Sequence, residues 1–145
     1  MDPNKIRVET RHYSLRDIIE MLDSGELRHI PGFYFRSWHC GDKHRFIEST
    51  MLQIPLTPLI FMMKKDGSMK VADGKQRVKT MEQFLKGRFK MGHSRYFDDF
   101  EGKTFDDLTD EQKKAIKKTL FPVYVIYPQT KSHRIADDIL ARLGG

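Results

Sequence analysis

Leu59-Ile60-Phe61-Met62-Met63, Lys64-Lys65-Asp66-Gly67-Ser68, Met69-Lys70-Val71-Ala72 and Asp73-Gly74-Lys75-Gln76-Arg77 follow one another without a break. Two apolar runs flanking Asp-Gly are a hairpin signature, because Asp-Gly favours the primed turns that match strand twist. Asp73 lies at the far end of that hairpin. With Gln76 three residues later it reads as a capping box that opens a helix near Lys75, while Gly74 lets the backbone turn sharply. Lys75 and Arg77 add two cations to a turn whose backbone N–H groups are unpaired and whose dipole end is positive, an arrangement suited to holding an anion. A well-capped helix with exposed basic residues has the same signature, so spacing alone leaves both readings open.

The helix after this turn places Val78, Met81 and Leu85 on one face with Phe84 beside them, and Gly87 closes it. Upstream, Ser14 caps a segment in which Leu15, Ile18, Ile19 and Leu22 recur at helical spacing until Gly25. Residues 27–38 read as extended chain, with Pro31 and Gly32 marking a turn or an edge. A second helix is expected over Lys43–Leu52, with Phe46, Ile47, Thr50 and Met51 inward, until Pro55 and Pro58 hold the chain extended.

Downstream, residues 88–107 read as a long loop, with short strands expected around Arg88–Met91 and Lys103–Phe105. Thr109 and Gln112 form a second capping box, opening a helix whose Ala115, Ile116 and Leu120 face the core while four lysines face water. Phe121–Tyr127 is the clearest strand, apolar enough on both faces for a central position. A last helix is expected over His133–Leu143, with Ile135, Ile139, Leu140 and Leu143.

The 145 residues are enough for one domain, 1–145, and leave no room for two. With 39% hydrophobic and 32% charged residues, the composition is that of a globular protein. Lone Cys40 cannot form an internal disulfide, and Met1–Lys5 lacks the apolar core of a signal peptide, so a reducing, cytoplasmic setting is expected. The most apolar run, Ile54–Met63, is short and carries two prolines, so no membrane span is expected. A net charge of +6 permits an anionic partner without demanding one.

The order of motifs is more specific than any one of them. Ile30-Pro31, Arg36-Ser37-Trp38, Phe46-Ile47-Glu48-Ser49, Ile54-Pro55-Leu56-Thr57-Pro58, Val71-Ala72-Asp73-Gly74-Lys75-Gln76-Arg77 with Thr80, and Gly102-Lys103-Thr104-Phe105-Asp106-Asp107-Leu108 succeed one another along nearly the whole chain. This succession resembles the N-terminal module of GmrSD-type modification-dependent restriction enzymes, within the ParB/sulfiredoxin-like superfamily. The resemblance implies an α+β fold, a small mixed sheet packed with four to five helices. It also implies a nucleotide or nucleic-acid phosphate site at Asp73, Gly74, Lys75, Gln76 and Arg77, with Arg36 and Glu48 as neighbours. The implied ligand is a nucleoside triphosphate with Mg2+, or DNA, and the implied setting is a phage-defence or restriction system with a possible protein partner.

In this reading Arg77 forks onto phosphate oxygens, while Asp73 or Glu48 positions a metal or water as the catalytic carboxylate. Asp73 cannot serve as ligand and cap at once. The sequence departs from the family at Lys75, where a Gln is usual, and before Arg36, where relatives often place a Gln. At Asp138–Gly145 an Asn that normally intervenes between the Arg-Leu pair and the two glycines is missing. The expectation is a shortened member that keeps binding, carries no nuclease and leaves NTP hydrolysis open. The alternative is a catalytically silent DNA- or protein-binding module of a defence or counter-defence complex.

Other constellations are weaker. His39, Cys40 and His44 make no complete tetrahedral set, so no metal site is expected. Trp38 with Phe33, Tyr34 and Phe35 reads either as a base-stacking platform beside arginine or as core. Tyr96, Phe97 and Phe100 read as a partner-binding patch or as a lid.

Overall fold

The computed structural model describes residues 6–30, 38–128 and 138. Its strands are β1 (Val8–Ser14), β2 (Leu27–Arg28), β3 (Leu59–Met63), β4 (Met69–Asp73) and β5 (Leu120–Ile126), and its helices are α1 (Leu15–Ser24), α2 (Cys40–Met51), α3 (Lys75–Leu85) and α4 (Asp110–Lys117). The strands form one mixed sheet in the order β1-β5-β3-β4-β2. The β5–β3 and β2–β4 pairs are parallel, whereas β1–β5 and β3–β4 are antiparallel. A small α+β domain is therefore the architecture of the described residues.

Strand β5 lies between β1 and β3, as its apolar sequence requires. Pro122 is tolerated inside it because the parallel ladder with β3 starts one residue later, at Leu59 opposite Val123. One face is fully closed: Phe121, Val123 and Val125 of β5 join Leu59 and Phe61 of β3 and Val71 of β4, all at 0% exposure. On the other face Tyr124 stays 41% exposed while Ile126 at the strand's end is 9% exposed, so that face is covered only in part. Leu120, expected on the core side of α4, instead begins β5 and is 61% exposed.

The helices bring their apolar stripes onto the closed face. Ser14 caps α1 by accepting from Asp17 N at 3.1 Å, Asp17 returns the bond to Ser14 N at 2.9 Å, and Gly25 ends the helix at φ +83°. Leu15 and Ile18 are wholly buried, each worth about 1.5–3 kcal/mol over exposure. Helix α2 starts three residues before the expected Lys43, since Asp42 accepts from His39 N at 3.3 Å and sets the first turn there. Phe46, Ile47 and Thr50 of α2 are buried as expected, and Val78, Met81 and Phe84 of α3 join them in one core. Thr109 and Gln112 form the expected capping box of α4, with Ile116 its buried residue.

The β3–β4 hairpin forms where expected, with a different turn. Gly67 N donates to the Lys64 carbonyl at 3.0 Å, and Gly67 takes the left-handed conformation at φ +88° while Asp66 does not. A primed Asp-Gly turn would need positive φ at both central residues. Asp66 is instead used locally, its carboxylate accepting from Ser68 N at 2.9 Å and Ser68 Oγ at 2.6 Å. Strand β1 was not legible in the sequence. Of the extended chain expected over 27–38, Leu27–Arg28 alone among the described residues pair into the sheet, and residues 31–37 lie outside the described residues, as does the helix expected over 133–143 apart from Asp138.

The long segment after α3 holds a 3-10 turn at Phe105–Asp107 and no strand among the described residues. Its ends meet through Met91 N donating to the Lys103 carbonyl and Gly102 N to the Met91 carbonyl, both at 2.8 Å. No helix among the described residues is long and apolar enough to cross a membrane.

Candidate functional site

Gly74 is the N-cap of α3, at φ +92° and with no side-chain cap. The expected capping box of Asp73 with Gln76 is therefore overturned. Asp73 is the last residue of β4, paired opposite Ile60 beside a register shift at Ile60/Phe61, which leaves it one residue too early to cap. Gly74 is required twice over, since a Cβ there would lie 2.3 Å from Leu59 Cδ2 and 3.1 Å from Arg77 Nη2.

Lys75, the first residue of α3, is 2% exposed. Burial pushes its pKa below the ordinary lysine value, and the Asp73 carboxylate opposes that shift. The same two influences act on Arg77, whose pKa burial lowers and Asp73 raises. Two cations and the positive end of a helix dipole thus share the neighbourhood of one carboxylate.

The arginine fork is already engaged. Arg77 Nη1 donates to the Thr57 carbonyl at 2.5 Å and to Thr57 Oγ1 at 3.0 Å, and Nη2 donates to the Pro58 carbonyl at 3.3 Å. Gln76 Oε1 accepts from Trp38 N at 3.3 Å. The start of α3 therefore ties Trp38, just before α2, to the Thr57-Pro58 entry of the hairpin.

Glu48 is placed elsewhere in the bonding network. Its Oε2 accepts from Ser94 Oγ at 2.6 Å, and the same hydroxyl accepts from Tyr96 N at 3.2 Å and Phe97 N at 3.0 Å. Ser94 is 3% exposed, so Glu48 anchors the loop after α3. Among the described residues Glu48 has no hydrogen bond or ion pair with Asp73, Lys75, Gln76 or Arg77. Arg36 lies outside the described residues.

Trp38 is half-buried, its ring edge-on to Phe46 at 5.7 Å between centroids, which is a packing geometry; Phe33, Tyr34 and Phe35 lie outside the described residues. Phe100 is wholly buried and stacks on Phe97 at 4.7 Å, leaving Tyr96, 60% exposed, as the open aromatic of that loop. No three His, Cys, Asp or Glu side chains gather as a metal set among the described residues. His44 lies against Phe89 and fills the space where a Cβ of Gly92 would come within 2.5 Å of its Nδ1.

Sequence reasoning missed Thr57, Leu59 and Ser94 as partners of these groups. Thr57-Pro58 carried a readable signal, since a residue before proline is held extended. Nothing local announces Ser94, whose importance comes from Glu48 and two backbone amides converging on it. No family model, curated protein or solved structure matches this chain.

Proposed function

We propose that this domain binds a phosphate-bearing ligand, a nucleotide or a nucleic-acid phosphate, at the start of α3. One observation carries the reading: buried Lys75 and half-buried Arg77 stand at the positive end of a helix with Asp73 as the carboxylate acting on both. A cation at a helix N-terminus is disfavoured by the dipole, and burial adds to that penalty. An incoming anion would interact favourably with the helix end and with the cations there. Backbone amides of the first turn and Lys75 are the proposed contacts, with Gly74 allowing close approach. Asp73 is the group that would hold Mg2+ accompanying a nucleoside triphosphate, since a hard cation takes carboxylate oxygen together with phosphate.

Arg77 and Glu48 are committed to Thr57 and Ser94, which favours binding without hydrolysis. The reading then meets the alternative of a catalytically silent module serving DNA or a protein in a defence complex, the setting implied by the motif succession. A cytoplasmic location fits the exposed, free Cys40.

Thermal unfolding with each ribonucleoside triphosphate, with and without Mg2+, tests the proposal. A ligand at about one hundred times its Kd stabilises by ~2.7 kcal/mol, and Lys75→Met should remove that shift. No shift with any nucleotide, alongside a salt-sensitive shift with duplex DNA, would reject the nucleotide form of the proposal.

A further inference from the structure

Helix α4 carries Lys113, Lys114 and Lys117, and Lys118 is its C-cap. None of the four forms an ion pair with a carboxylate among the described residues. Lys113 with Lys117, and Lys114 with Lys118, are like charges four residues apart, and each such pair disfavours a helix by ~0.2–0.5 kcal/mol. The negative end of the helix offsets part of this for the last turn. Nothing separates the charges further: the Nζ atoms of Lys113 and Lys117 both lie over the Phe105 ring, 5.9 and 5.6 Å from its centroid.

We propose that this face of α4 is a docking surface for the phosphate backbone of duplex DNA. Two pairs of cations one helical turn apart, ~5.4 Å along the axis, face a polymer that carries one negative charge per ~1.7 Å. Asp110 and Glu111 stand in the first turn of α4, away from Lys117 and Lys118 at its other end, and Asp107 before the helix is engaged by Thr104 N at 2.9 Å and Thr104 Oγ1 at 3.0 Å. Lys90 and Lys103 act on the Asp107 carboxylate as well, Lys103 being paired with Asp99 at 3.5 Å. A lipid surface fits less well: Ile116 is 0% and Phe105 5% exposed, so the apolar side of α4 is spent in the core, and Leu120, 61% exposed just beyond Lys118, is a single apolar side chain where an interfacial helix needs a whole apolar face. The surface is independent of the α3 turn, and its test can succeed or fail whatever nucleotides do there.

Fluorescence anisotropy with a short mixed-sequence DNA duplex tests this. Four phosphate contacts predict a slope of log K against log salt near −3.6, so affinity should fall about a hundredfold between about 50 and about 200 mM KCl. Lys114→Gln/Lys117→Gln/Lys118→Gln should reduce the slope by about 2.7 and weaken binding at least about tenfold at the lower salt, with the unfolding midpoint retained. Lys64→Gln/Lys65→Gln, on the exposed β3–β4 turn, should leave affinity within about twofold. Absence of binding by the wild type at the lower salt overturns the proposal, and so does equal weakening in both variants.

Discussion

The Arg77 guanidinium grips Thr57, donating to its carbonyl at 2.5 Å and to its hydroxyl at 3.0 Å, and so fastens the first turn of α3 to the chain that enters β3. The residue marked by the motif succession as a phosphate fork is a brace in the structure. Removing it should unsettle the fold before it unsettles any ligand.

Arg77→Ala is expected to destabilise the domain by about 1.5–3 kcal/mol, the range for hydrogen bonds to a charged donor. Arg77→Lys should recover only part of this, because a single ammonium cannot span the Thr57 and Pro58 carbonyls. Urea unfolding measures both. A loss below about 0.5 kcal/mol for the alanine variant would return the arginine to the ligand side.

Gly74 and Gly67 share a left-handed backbone, at φ +92° and +88°, but only Gly74 faces an obstacle. Gly67→Ala should show the conformational penalty alone, roughly 1–2 kcal/mol. Gly74→Ala should exceed it by at least about 1 kcal/mol, because its Cβ would meet wholly buried Leu59 at 2.3 Å. Equal effects in denaturant melts would mean that Leu59 moves aside freely.

Lys75 makes a prediction in pH. Burial lowers its folded pKa, with Asp73 opposing, so between that pKa and the unfolded value near ~10.4 the unfolded chain binds more protons than the folded one. Stability should therefore rise with pH across that window, relative to a Lys75→Met variant measured alongside. If the difference between the two is flat up to pH ~10.4, the ammonium is not held below its ordinary value.

Ser94→Ala removes the donor to Glu48 and the acceptor for Tyr96 and Phe97 amides together. Leaving such partners unsatisfied should cost about 1–3 kcal/mol. Hydrogen exchange provides the local readout: the Tyr96 and Phe97 amides should lose protection while those of β5 keep theirs. Unchanged protection would show that the loop is held by Phe97 and Phe100 packing instead.

The legibility of this chain varies with the range of the interactions involved. Ser14 with Asp17, and Thr109 with Gln112, are three residues apart, and both boxes form as the sequence predicts. Asp73 with Gln76 has the same spacing and fails, because pairing with Ile60 keeps Asp73 in β4 and passes the cap to Gly74. Strand β1 has no legible apolar alternation, because Glu9, Arg11 and His12 interrupt it. Its partners lie at the other end of the chain, with Val8 opposite Ile126 and Ser14 opposite Leu120.

By itself the sequence determined the local events: capped starts for α1 and α4, the hairpin, a central β5 and a basic turn after β4. Each depends on neighbours within a few residues, whose geometry short-range sterics and hydrogen bonds dictate. Tertiary structure alone decided how those pieces are used. It spent Arg77 on Thr57, Glu48 on Ser94 and Gln76 on Trp38, and it buried Lys75 beside Asp73. A side chain's role follows from which groups folding places within hydrogen-bond reach of it, and for Arg77, Glu48 and Gln76 those groups stand 20, 46 and 38 residues away in the chain.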